Sequence, residues 1–449
     1  MHKLSVTLLI ILSISFTGKI DAQGEQDFKY RRSSLSMILI ESDNFPSKQA
    51  VMKSWSSYPF PDKYNKHDIA FKSIDIDNIK LSEKELLVIN AKNEAKESAL
   101  EAAKAVNSFS PVKGSGPSTI LDMNILGEKQ EYQLKIDRVI HEERIAKKLV
   151  ARWFNNSSNG KFDMKLIQER GFYNASEMEA SIAKGQTRGL ASLGDAGEEL
   201  LRNTFVTFTK FDFVENEPVA RKVRDESKES LAKNMATSPK ILRDKANKEV
   251  DELYDRTKEG YSLWSKTWLY RLNWNDSIAT IFYKDLWPNP KAFDKSDLFS
   301  LEFVGVQYNQ SLVTFKLGEK RTQEQSIDLV LVRNVDHAFA ELQKDNDVFK
   351  PKVPVLTVNP ITAQIGTKEG LSGGEHFDVL EMEFNPKTGT TEYKTIGSAT
   401  ADKKLIWDNR YNAGEKVEPV LDKDGSPITA TPFKGSKNIQ PGMLLIQKK

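Results

Sequence analysis

The chain has 449 residues, with 65 Lys+Arg against 63 Asp+Glu and no cysteine. A disulfide framework, a thiolate metal site and a cysteine nucleophile are therefore excluded. The net charge of +2 at 29% charged residues leaves no one-signed field of the kind that draws in nucleic acid. A hydrophobic fraction of 39% over this length is that of a globular protein of two or three domains, each able to bury a core.

Residues 1–22 have the layout of a signal peptide: a basic start (His2, Lys3), an apolar run from Leu4 to Phe16, and a small residue, Ala22, at the expected cut. The run is about a dozen residues, short of the ~20 that span a bilayer, so removal is expected and the mature chain should carry no transmembrane span. No cysteine follows to accept a lipid. The expected location is exported, periplasmic or outer-surface associated, in a bacterium. Asn-x-Ser sequons at Asn155, Asn156, Asn174, Asn275 and Asn309 carry no meaning there.

In chain order, Ser34–Glu41 reads as a buried strand and Pro46–Trp55 as a helix. After the loop Tyr58–Tyr64, Ile69–Ile76 alternates as a second strand. Ser82-Glu83-Lys84-Glu85 has capping-box spacing and predicts a helix to about Val106, followed by a Gly/Pro loop over Ser108–Ser118. A helix over Tyr132–Phe154 places Ile136, Ile140, Leu149 and Trp153 on one side. Shorter helices are expected near Met164–Glu169 and Ala175–Ala183, a break at Gly194–Gly197, and a helical Glu198–Arg202. The strand Thr204–Val214, with phenylalanines on both faces, is expected at the centre of a sheet.

Between about 215 and 258 charged residues crowd together and apolar ones thin out to Val219, Val223, Leu231, Met235, Ile241, Leu242, Val250 and Leu253. The pattern, split by Pro239, predicts two solvated helices inserted into the domain, or an arm that docks on a partner. Next comes an aromatic strand whose alternation puts Trp264, Trp268, Tyr270 and Trp274 on one face. Such a face either stacks against sugar rings or a partner protein, or packs under a neighbouring helix. Strands at Phe299–Tyr308 and Ser311–Leu317 and a helix at Gln325–Lys344 close an α/β domain over 24–350.

From 351 to 449 no helical period remains. Short strands at Val353–Val358, Ile361–Ile365, His376–Phe384, Thr390–Ala401, Lys404–Trp407 and Met443–Gln447, separated by glycine-rich turns, predict a small β-barrel. The phrase from Ile365 to Val379, with Gly366, Gly370 and Gly374, then Asn385-Pro386-Lys387-Thr388-Gly389, Ile396-Gly397 and Ile439-Gln440-Pro441-Gly442-Met443, resembles the C-terminal barrel of the flagellar assembly protein T family and related bacterial envelope proteins. The resemblance covers the last quarter of the chain, with Tyr411–Ser436 departing from it, and implies a structural and docking part without catalytic residues. Residues 24–350 resemble no family in this way.

Beyond His2 the histidines, His67, His141, His337 and His376, stand far apart, and His141-Glu142-Glu143 lacks the second His of a zinc motif. No phosphate loop or nucleophile elbow occurs, and Asp422–Gly425 has the make-up of a turn, not of a calcium loop. The richest polar cluster is Asp62–Asp68, with two acids, lysines and His67 in one loop. Carboxylate catalysis would need two acids converging in a cleft, which spacing does not select.

The expected fold is α+β: a mixed α/β domain with inserted charged helices, followed by an all-β barrel. The expected function is that of an exported non-catalytic envelope protein binding other envelope proteins or itself, with no catalytic, metal or cofactor-binding residues. The alternative is a secreted carbohydrate-binding protein using Trp264, Trp268, Tyr270 and Trp274.

Overall fold

The computed structural model describes residues 30–87, 89, 131–156, 160–173, 197–314, 322–385, 390–411 and 418–448. The expected signal segment, most of the helix after Ser82, the loop 108–118, the helix 175–183, most of the break 194–197 and the turn after Asn385 lie outside these residues. The helices used below are α1 (Lys48–Ser57), α2 (Ile145–Trp153), α3 (Lys165–Tyr173), α4 (Asn216–Asn234), α5 (Lys240–Thr257), α6 (Asp276–Ile281), α7 (Pro290–Lys295) and α8 (Gln323–Asp345).

The chain is α+β. In the first part, β1 (Ser34–Ile40) runs parallel to β4 (Thr204–Glu215), which is followed antiparallel by β5 (Gly260–Leu272) and β6 (Leu301–Thr314). Two short pieces, β2 (Asn65–Lys66) and β3 (Ser73–Ile74), lie parallel along the other side of β1. The order is β2-β1-β4-β5-β6, with β3 also on β1.

Alternation decides what each face meets. Leu35, Leu39, Phe205, Phe211, Leu263 and Leu269 form one core with α1 and α8. Ile38, Ile40, Val206, Phe208, Trp268 and Tyr270 form another with the helical stretch 131–142 and α2. Both faces are covered, so the central strands are apolar on both sides. Each fully buried large side chain here contributes about 1.5–3 kcal/mol. A third cluster, with Trp153, Phe154, Trp274, Phe282 and Phe293, packs where α2, α6 and α7 meet the end of the sheet.

Helix starts follow capping chemistry. Ser47 accepts the Ala50 N–H ahead of α1, and Thr322 with Gln325 makes a reciprocal capping box ahead of α8. The helix expected over 132–154 is broken at Arg144, whose φ of 51° is left-handed. The strand expected over 69–76 shrinks to β3. Ala70 sits at φ 59°, and the Asp68 and Asp75 carboxylates accept the N–H groups of Ala70 and Asp77, closing local turns that compete with the ladder. The two strands expected at 299–308 and 311–317 are, as far as Thr314, one continuous strand, β6, because Asn309-Gln310 keeps pairing with Ser265 and Trp264; residues 315–317 lie outside the described residues.

The C-terminal part is a closed six-stranded antiparallel barrel of β7 (Val353–Val358), β8 (Ile361–Ala363), β9 (His376–Asn385), β10 (Thr390–Ala401), β11 (Thr431–Gly435) and β12 (Leu444–Gln447), in the order β10-β11-β8-β7-β12-β9. Val355, Ala363, Phe377, Val379, Ala399, Phe433 and Leu445 fill it, with Phe377 and Phe433 edge to face at 5.1 Å. The expected strand Lys404–Trp407 does not form. Its place is taken by Thr431–Gly435, whose Thr431 hydroxyl donates to the Ile365 carbonyl while the Trp407 carbonyl accepts the Thr367 N–H. A Cβ on Gly366 would run into that Trp407 carbonyl, so the glycine of the barrel phrase is needed for this close approach.

Candidate functional site

The four aromatic residues of the expected stacking face are placed by β5 and the turn after it. Trp268 is 0% exposed, Tyr270 1% and Trp274 4%. Trp268 lies in the core against Tyr132. The Tyr270 hydroxyl donates to Asp137 at 2.7 Å, and Trp274 donates to Glu198 at 2.6 Å while stacking on Phe299. Only Trp264 is partly exposed. Stacking on a sugar requires an open ring face, and three of the four rings are buried.

The Asp62–Asp68 loop is divided among three places. Asp62 and Lys63 face the barrel, and Tyr64 is sandwiched against Phe349 at 4.8 Å and donates to its carbonyl. His67 is fully buried beside Trp153, its Nε2 donating to the Leu149 carbonyl at 2.9 Å and its Nδ1 3.0 Å from the Arg170 guanidinium. Burial first, and the Arg170 charge next, hold the imidazole well below its ordinary pKa. His67 is thus a neutral joint between β2, α2 and α3.

Between the two halves lies a dense set of buried charges. The Tyr58 hydroxyl donates to Asp336 of α8 at 2.5 Å, and Lys368 from the barrel phrase stands 3.9 Å from the same carboxylate oxygen. Lys63 lies 2.6 Å from Asp62 and 3.8 Å from Glu369. Glu369 also accepts the Gly366 N–H and the Asn409 amide, both at 2.8 Å. Burial raises the Asp336 carboxyl, while Lys368 and Tyr58 oppose the rise. Hydrogen bonds from Arg410 hold Asp408 at about 2. A second set centres on Glu199, which accepts the Tyr393 hydroxyl of β10 and faces Arg32 and Lys352, each at 3.8 Å. These contacts run between the mixed-sheet part and the barrel and join the two halves. The sequence signals for them are slight: an acid, Asp336, within the largely apolar α8, and a glutamate inside the Gly366–Gly370 phrase.

The open site is elsewhere. Where β4 and β5 would meet in a tight turn, the chain runs out through α4 and back through α5. Of the two helices only Asn216 and Ala220 are buried. Val219, Val223 and Leu253 are each about half exposed, at 49%, 48% and 47%. With Ala220, Val250 and Tyr254 they line an apolar groove of about 260 Å³, whose base is Ser262 and Gln310 of the sheet. The groove continues toward the tip past Ser227, Ser230 and Leu231. From Val219 to Leu231 this is about 18 Å at 1.5 Å per residue. Its walls carry ion pairs such as Arg221–Glu217 and Lys228–Asp251.

No family model and no curated protein matches this chain. Among the described residues, no three His, Asp or Glu side chains converge as metal ligands, and no helix is long and apolar enough to cross a membrane.

Proposed function

We propose that this chain is an exported, non-catalytic bacterial envelope protein that acts by docking a partner protein on the α4–α5 hairpin. The observation that carries the reading is the apolar groove of that hairpin, flanked by Val219, Val223 and Leu253. Exposed apolar side chains aligned along two helices receive an amphipathic helix, whose i, i+3 and i+4 positions fill such a groove. The resemblance of the barrel to that of the flagellar assembly protein T family supports the same kind of role, since there the barrel docks and does not react. The signal-peptide layout of residues 1–22 supports export.

Glu215 and Tyr261 are direct cross-strand partners, so residues 216–260 can be replaced by a two-residue Asn-Gly turn that closes β4 onto β5. The full chain and this shortened form, both with the native leader, are compared for cleavage of the leader, thermal unfolding and crosslinked partners in the envelope. The expected result is equal processing and folding, with the partner crosslink lost in the shortened form. An unprocessed chain, or an identical set of crosslinks in both forms, overturns the reading.

A further inference from the structure

The sheet ends on an unusual strand. β6 has β5 on one side and, among the described strands, nothing on the other. It is fourteen residues long, or about 48 Å at 3.4 Å per residue, and roughly half of its N–H and C=O groups point away from β5. Edge strands are ordinarily kept apart from other edges by lysine, proline, strong bulges or shortness. β6 has neither lysine nor proline, and its one charge is Glu302. Its irregularity falls between Phe303 and Gly305, opposite Tyr270 and Leu269. Beyond it, Gly305–Thr314 is a regular run without a single Lys, Arg, Asp or Glu. Gln310 is exposed, and Val306, Gln307, Tyr308 and Ser311 are partly so.

We infer that the β6 edge pairs antiparallel with β6 of a second copy of this chain, so that two sheets continue as one across a two-fold axis. A strand that fits this edge must be long, extended and uncharged, with side chains tolerated on both faces. β6 meets that description itself. Antiparallel pairing within Gly305–Thr314 brings together no two charges of the strand itself, Glu302 lies outside the paired run, and the nearby Asp345 carboxylate is held by the Gln307 amide. The same patch on both copies satisfies both edges at once, which is the closed, self-complementary arrangement of a two-fold dimer. The pairing uses the backbone of β6; it shares only Gln310 with the base of the α4–α5 groove and does not depend on a partner docking there.

The test is sedimentation of the mature full-length chain over a concentration series, with amide hydrogen exchange followed in β6. The expected result is a monomer–dimer equilibrium in which β6 amides gain protection as the dimer fills. Ser311→Lys places two ammonium groups near the axis, and Ser311→Asp places two carboxylates there. Each should raise the dissociation constant by about tenfold or more, at 1.4 kcal/mol per tenfold, while leaving the thermal unfolding of the monomer close to wild type. Replacement of the α4–α5 hairpin should leave the dimer intact. A single-chain mass up to about 100 μM, or a dimer whose β6 amides exchange as freely as in the monomer, overturns the pairing. So does a dimer unaffected by both Ser311 variants, or β6 protection conferred only by an added heterologous peptide.

Discussion

The carboxylate of Glu199 takes the Tyr393 hydroxyl on both of its oxygens, at 2.8 and 3.0 Å, across the join between the mixed sheet and the barrel. The Tyr30 hydroxyl lies 2.5 Å from the Tyr393 hydroxyl, and the Lys352 ammonium stands 4.3 Å from the centre of the Tyr393 ring. Burial lowers the Lys352 pKa, with Glu199 opposing, and burial raises that of Tyr393. One acid therefore holds two cations and a phenol in a largely dry place.

Removal of that acid should cost more than removal of any single donor. Glu199→Ala takes away the carboxylate that Arg32 and Lys352 share, and a loss of about 3 kcal/mol is expected. Tyr393→Phe removes one charge-assisted bond, for about 1–2 kcal/mol. Differential scanning calorimetry should show the wild type unfolding in one transition and Glu199→Ala in two, as the barrel uncouples. A single unshifted transition in both variants would show that the halves are held by other contacts.

His67 gives the fold an acid limit. Its folded pKa is depressed, mainly by burial, so below the unfolded value of about 6.5 the unfolded chain binds a proton that the folded chain does not. Stability from this residue is fully present above pH ~6.5 and falls as the pH drops below it, at no more than about 1.4 kcal/mol per pH unit. Urea unfolding of wild type and His67→Gln between pH 7.5 and pH 5, a span chosen about that unfolded pKa, should give a shallower slope for the variant. Parallel slopes would mean that the histidine does not titrate differently in the two states.

Gly373 is held at φ 116°, where a Cβ would lie 2.7 Å from the Lys403 carbonyl oxygen. Gly373→Ala should lower barrel stability by about 1–3 kcal/mol, read from the urea midpoint. Gly425, at φ 79° with open space around it, should tolerate alanine at about 1 kcal/mol. Equal effects at the two sites would remove the role assigned to the close approach of residues 373 and 403.

Val223→Glu and Leu253→Glu alter side chains that are half exposed. Their effect on unfolding should stay within about 0.5 kcal/mol, measured by thermal denaturation. Losses of several kcal/mol would show that the groove belongs to the protein's own core.

What the sequence disclosed follows the physics of each signal. β1, β4, β5 and α8 were legible because their apolar residues recur at the strand or helix period and their caps are local. The barrel was legible from turn residues alone, yet β11 was missed, since Thr431-Pro432-Phe433 has a proline where a strand is read poorly. The aromatic alternation in β5 was legible as a face, but which side of a sheet meets solvent depends on elements distant in sequence. The helices over 131–153 cover Trp268 and Tyr270, and nothing within 264–274 says so. The junction charges pair residues as far apart as Tyr58 and Asp336, a convergence that spacing along the chain does not express. The α4–α5 pair was legible as charged helices with sparse apolar residues; the groove those residues share needed the two helices side by side.

Docking at the α4–α5 hairpin puts a partner protein in contact with Val223. A photo-crosslinking side chain is placed at position 223, and for comparison at exposed Lys404 on the barrel loop, in the full chain expressed in its native envelope. A discrete adduct is expected from position 223 that maps to an amphipathic helix of the partner and is absent from position 404. No adduct from position 223, or the same adducts from both positions, would contradict it.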